Sequence, residues 1–195
     1  MLILVTNRKL CKDDFLQRIQ QLVKSKPHAI MLREKDLDGG EFEDLAENVK
    51  GICDVAQVPL IINQNISAAA KLKLLNIHLS ISDLRKYQND LLPFLNIGAS
   101  VHSVSEAAEA QKLGASYLIA GHIFNTDCKK GVPPRGLPFL KEICESVSIP
   151  VFAIGGITNN RVKDVLETGA KGVCIMSEAM TCQNPSELSE QYRLE

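Results

Sequence analysis

The sequence has no surplus of positive charge, no apolar run long enough to cross a bilayer and no closely spaced cysteine pair. Lys and Arg number 22 against 23 acidic residues, a net charge of −1. No global field is therefore present to hold a nucleic acid or an anionic membrane, and an anionic ligand has to be caught locally. Neither a basic stripe nor a helix-turn-helix context points to direct DNA binding. The opening MLILVTNRKL puts its cations after five apolar residues, the reverse of a secretory signal. No segment approaches the roughly 20 apolar residues that a membrane helix requires, so a cytoplasmic location is expected. The six cysteines, at 11, 53, 128, 144, 174 and 182, stand singly, without the CxxC spacing of a zinc or redox site. Cys53, Cys144 and Cys174 read as small core residues, and Cys128, in a polar loop with no dedicated base beside it, as an ordinary free thiol.

What is present is an ordinary globular mixture, 45% apolar and 23% charged, over a length that predicts one domain spanning residues 1 to 195. Eight short apolar runs recur along it: LILVT (2 to 6), HAIMLR (28 to 33), PLIIN (59 to 63), NIHLS (76 to 80), NIGAS (96 to 100), YLIAG (117 to 121), PVFAIG (150 to 155) and GVCIM (172 to 176). Stretches of helical period separate them, among them DDFLQRIQQLV, EFEDLAENVKGICDVA, SEAAEAQKLG and NNRVKDVLETGA. Near-continuous apolar strands alternating with helices predict a parallel sheet covered by helices, either open and doubly wound or closed. Eight units favour the compact (β/α)8 TIM barrel, whose short form runs to about 200 residues. A solenoid is the weaker alternative, because the units share no side-chain pattern.

In such a barrel the site is built where strands end. The successive exits offer Thr6 and Asn7; Arg33, Glu34 and Lys35; Asn63 and Gln64; His78; Ser100 and His102; His122; Gly155 and Gly156; and Ser177. His28, at a strand start, reads as structural. The seventh exit, AIGGITNN, places two glycines before Thr158 and Asn159, which can cap the next helix, and Ser177 follows the eighth. Bare backbone N–H groups there predict a phosphate site at Gly155, Gly156 and Ser177. Arg33 and Lys35, alternating with Glu34, suit a carboxylate or pyrophosphate. The loop from Asp127 to Arg135, with Lys129 and Lys130, reads equally as a lid over an anion or as a solvated loop. No set of carboxylates recommends itself as a metal site, and Asp83 reads as a surface or capping residue.

Residues 31 to 35 (MLREK), 98 to 103 (GASVHS), 121 to 129 (GHIFNTDCK) and 153 to 157 (AIGGI) resemble successive signatures of the thiamine phosphate synthase superfamily over nearly the whole chain. The resemblance implies a (β/α)8 barrel of thiamine biosynthesis. Its synthases join a pyrimidine pyrophosphate to thiazole phosphate with Mg²⁺, and carry Asn-Asp after strand three and His-Leu-Gly-Gln-x-Asp after strand four. Here those places read Asn63-Gln64 and His78-Leu79-Ser80-Ile81-Ser82-Asp83. One of the two acids is missing and only Asp83 matches.

At the sixth exit Gly121-His122 stands where synthases have Gly-Pro, and TDCK (126 to 129) where they have Thr-x-Thr-Lys. In both places the chain is similar to the TenI-type thiazole tautomerases, which implies isomerisation of a carboxythiazole phosphate with no metal or other cofactor. On that expectation His122 transfers the proton. Arg33, Lys35 and His102 then orient the substrate carboxylate, Gly155, Gly156 and Ser177 hold the phosphate, and Thr126 and Lys129 supply loop contacts. His78 and His102 read otherwise as structural histidines, with a relay as the alternative. The expected partner is a small thiazole phosphate carboxylate, with no nucleic acid and no membrane, and a homo-oligomer stays open. The alternatives are the Mg²⁺-dependent synthase and a non-enzymatic phosphate-ligand-binding regulator.

Overall fold

The computed structural model describes residues 1 to 193. Eight parallel strands, β1 (Leu2–Val5), β2 (Ala29–Leu32), β3 (Leu60–Asn63), β4 (Asn76–Ser80), β5 (Asn96–Val101), β6 (Tyr117–Gly121), β7 (Val151–Ile154) and β8 (Gly172–Ile175), pair in chain order, and β8 closes onto β1. The predicted (β/α)8 barrel is the fold, and each of the eight apolar runs marks one strand, β5 extending one residue beyond its run.

The strands are apolar on both faces because both are covered. Leu2, Leu4, Ile30, Leu32, Ile77 and Leu79 face the helices as part of the larger core. Their alternates Ile3, Val5, Met31, Ile61, Ile119 and Phe152 fill the barrel interior as a separate cluster. The two-residue period thus sorts one sequence run into two cores. The same parity turns His78, Gly98 and Ser100 inward. His78 lies in the middle of β4, 2% exposed, and does not stand at a strand exit as expected; Ser80 does.

Helices α1 (Phe15–Lys24), α2 (Gly39–Ala56), α3 (Ile66–Lys71), α4 (Ile81–Lys86), α5 (Val104–Lys112), α6 (Gly136–Ser146), α7 (Val162–Glu167), α8 (Ser177–Thr181) and α9 (Leu188–Gln191) form the outer layer. Several begin at a polar cap. Asp14 accepts from the N–H of Gln17 at 2.8 Å, and Asp38 and Glu41 form a reciprocal capping box on α2. In α2 the buried residues Phe42, Ala46, Val49 and Cys53 recur at helical spacing. Cys53 and Cys174 are core residues as predicted. Cys144 is only half-buried, because it sits at the edge of α6's inward face. Among the described residues no helix is long and apolar enough to cross a membrane.

Candidate active site

The first turn after β1 is set by Glu34. Its buried carboxylate accepts from Thr6 Oγ1 at 2.6 Å and from the Arg8 N–H at 3.0 and 3.1 Å, and Thr6 Oγ1 accepts in turn from the Arg33 N–H. Glu34 is thus consumed in joining the β1 and β2 exits. Alternation then leaves Arg33 and Lys35 on the opposite side, at the barrel mouth. Neither makes an ion pair among the described residues. The pKa of Lys35 is lowered by burial and by Arg33 and Lys129, against a smaller opposing pull from Asp83. Three cations, two from the β2 exit and one from the loop after β6, therefore share one field.

Two cavities open at this end, and Arg33 stands in the wall of both. The first, about 760 Å³, is lined by Ser100, His102, His122, Lys129, Gly156 and Ser177, among others. It brings together every predicted site residue except Lys35. The second, about 1020 Å³, holds Lys35 with Asn63, Gln64 and Asp83.

The double glycine is explained by space as well as by conformation. Gly155 and Gly156 have φ of +102° and +64°. A Cβ on Gly155 would lie 2.3 Å from Cβ of His122, and one on Gly156 would lie 2.2 Å from the carbonyl oxygen of Asn125. The β7 loop is therefore packed directly under the β6 loop, its backbone bare toward the first cavity. Ser177, the residue expected after the eighth strand, opens α8, whereas Thr158 makes no side-chain cap.

His122 is buried at 8% exposure, and Nε2 donates to the carbonyl of Val132 at 3.2 Å, while its own carbonyl accepts from the Arg135 N–H at 3.0 Å. It fastens the returning limb of the 124 to 135 loop to the barrel. Thr126 caps the short 3₁₀ turn Asp127–Lys129, which presents Lys129 to the cavity. His102 is half-exposed. Its pKa is lowered by burial, opposed by Glu106 and assisted by Arg135 and Lys129.

Arg161 escaped the sequence reading. It lines the first cavity, donates to the carbonyl of Gly156 at 2.7 Å and lies over the Phe124 ring at 4.5 Å, so it braces the glycine turn. The sole signal was a cation shortly after GGITNN.

The second cavity tests the magnesium that the resemblance implies. Gln64 Nε2 donates to Asp83 Oδ2 at 2.7 Å, and Ser80 Oγ donates to the same oxygen at 2.7 Å. Burial raises the pKa of Asp83, but these hydrogen bonds outweigh it and hold the carboxyl below its ordinary value. Asp83 is thus a single carboxylate whose Oδ2 already accepts from an N–H and an O–H donor, with the Gln64 amide where the implied site has its second acid. No cluster of three or more His, Cys, Asp or Glu suited to a metal occurs among the described residues. The side chains present do not fit the implied two-acid site.

Strand ends that converge on cation-lined cavities define a (β/α)8-barrel enzyme. A family model described as thiamine monophosphate synthase matches residues 2–179. The chain belongs to that family, whose role lies in thiamine biosynthesis. It is 37% identical over 185 residues to thiamine-phosphate synthase of Clostridium acetobutylicum, covering 93% of this chain and 88% of the relative. It is 38% identical over 188 residues to thiamine-phosphate synthase of Desulfitobacterium hafniense strain Y51, covering 94% and 91%. Among solved structures, thiamine phosphate pyrophosphorylase from Pyrococcus furiosus superposes with a TM-score of 0.87 at 28% identity, covering 98% of this chain and 92% of that one.

These relatives overturn the tautomerase expectation. It was carried by His122 and TDCK, short motifs at one exit, whereas the likeness to synthases extends over nearly the whole chain. His122 in turn has a structural task in holding the loop.

Proposed function

We propose that the chain is a transferase that joins a pyrimidine pyrophosphate to a thiazole phosphate. The observation that carries this reading is the end-to-end identity of 37% to 38% with proteins named thiamine-phosphate synthase. The geometry supports it with two adjoining cavities, suited to two anionic substrates, that meet at Arg33.

In the reaction the thiazole ring nitrogen bonds to the exocyclic carbon of the pyrimidine as the C–O bond to pyrophosphate breaks, and pyrophosphate departs with the electron pair. Bond formation itself moves no proton, which accords with a histidine whose Nε2 is committed to a loop carbonyl. The charge this chain brings to the leaving group is that of Arg33, Lys35 and Lys129, strongest where water is excluded. The thiazole phosphate is assigned to the Gly155-Gly156 turn and Ser177, with Arg161 holding the turn in shape. Closure of the Lys129 loop would separate the reacting carbon from water.

Purified protein supplied with both substrates is expected to form the coupled product with one pyrophosphate released per product. Arg33→Ala should lower kcat/KM by about 100-fold or more, the scale of removing a charge-stabilising donor. No product from wild type, with or without added divalent cation, overturns the reading.

A further inference from the structure

One acid of the first cavity has no part in the transfer. Glu178 lines that cavity directly after Ser177, in the wall to which the phosphate is assigned. A carboxylate turned toward a phosphate there would oppose it, charge against like charge. Glu178 makes no ion pair among the described residues that would cancel its charge.

Its partner is a phenol from the end of the chain. Glu178 Oε2 accepts from the hydroxyl of Tyr192, which is 6% exposed and packs in the larger core, outside the cavity lining. Leu188 and Tyr192 stand four residues apart and so face the same way, both into that core. Ser189 Oγ lies 2.7 Å from Oγ of Ser25, just past α1, and anchors this short segment to the barrel's outer layer. The same phenol oxygen is 3.4 Å from the carbonyl oxygen of Ile157, the residue after the glycine pair. Tyr192 therefore touches the loops after β7 and β8 together, while Arg161 holds the Gly156 carbonyl separately. With one hydrogen to give, the phenol serves the carboxylate first, the stronger acceptor. Burial, and then the bond to Glu178, push the Tyr192 pKa above its ordinary value, so the donor keeps its hydrogen.

We propose that Tyr192 is a positioning residue of the phosphate seat: it draws the Glu178 carboxylate into the protein wall and so keeps that charge off the ligand's phosphate. Without the phenol the carboxylate is released to turn toward the cavity. The inference rests on the transferase reading for the place of the phosphate seat and for the identity of its occupant.

The test is the Kd of inorganic phosphate on the full ¹⁵N-labelled chain, read from the backbone amide shifts of Gly155 and Gly156. Tyr192→Phe should raise that Kd about threefold to tenfold, the scale of one hydrogen bond, and less than about twofold when made in Glu178→Gln, where no charge is left to release. A phenol that merely supported the fold would cost affinity equally in both backgrounds. In the transferase assay Tyr192→Phe should raise KM for the thiazole phosphate by the same factor and leave kcat within about twofold, because the interaction acts on binding. An unchanged Kd in Tyr192→Phe, or an equal loss with Gln at 178, overturns the proposal. Should Tyr192→Phe not fold, Glu178→Asp takes its place: one methylene too short to reach the phenol, it should raise Kd likewise, and a wild-type Kd overturns the proposal. If phosphate binds at the two glycines but no product forms, the transferase reading falls while the Kd values still judge Tyr192. If phosphate does not bind there at all, the seat and this inference fall together.

Discussion

At position 156 a methyl group has nowhere to go: backbone oxygen stands 2.2 Å from where it would sit, and φ is +64°. Gly156→Ala should therefore cost about 1–3 kcal/mol, read as a lowered urea midpoint, and loosen the turn assigned to phosphate. His78 has a different consequence. Its folded pKa of about 3 lies below the ordinary 6.5, so between those values the unfolded chain binds the extra proton. The stability it contributes is present above the unfolded pKa and is lost as pH falls toward the folded one, at up to about 1.4 kcal/mol per pH unit. A pH series of unfolding midpoints should fall less steeply below neutrality in His78→Gln than in wild type; equal slopes would contradict it. Single-sequence reading captures the first of these residues at this scale and misplaces the second. The glycine pair and Arg33 were legible because chemistry dictates their types. Gln64 was legible as a missing acid, but its hydrogen bond to Asp83, 19 residues away, depends on two loops meeting.

Elements were easier to read than sites, because a strand buried on both faces must be apolar at nearly every position, and eight such runs admit few closures. What the pattern did not reveal was phase: NIHLS looked like a strand ending in a polar exit, when His78 faces inward at its centre. Arg161 was hidden likewise, since only the packing of the β7 loop turns it onto Phe124. Two predictions belong here. Asp38→Ala removes the side-chain half of the α2 capping box, the acceptor for the Glu41 N–H, and should destabilise by about 1 kcal/mol, measurable by urea titration. His122→Ala cuts the 124 to 135 loop from its Val132 anchor. Limited trypsin digestion should then cleave at Lys129 or Lys130 several times faster than in wild type, with the barrel intact by circular dichroism.

The molecule as a whole is nearly neutral, yet one end gathers Arg33, Lys35 and Lys129. Inorganic pyrophosphate at about 100 times its Kd should stabilise the fold by about 2.7 kcal/mol. For a chain of this size that raises Tm by roughly 5–11 °C, and most of the shift should vanish in Arg33→Ala or at high salt. Arg33 belongs to both cavities, and this ties the two occupants together. Anions on either side draw on a single guanidinium and repel one another across it, so each loosens the other by an equal factor. Once one has departed, the charge reverts wholly to the one that stays. On the transferase reading the departure of either ligand tightens the hold on the other, and a mutation at Arg33 would erase that mutual antagonism along with the affinity.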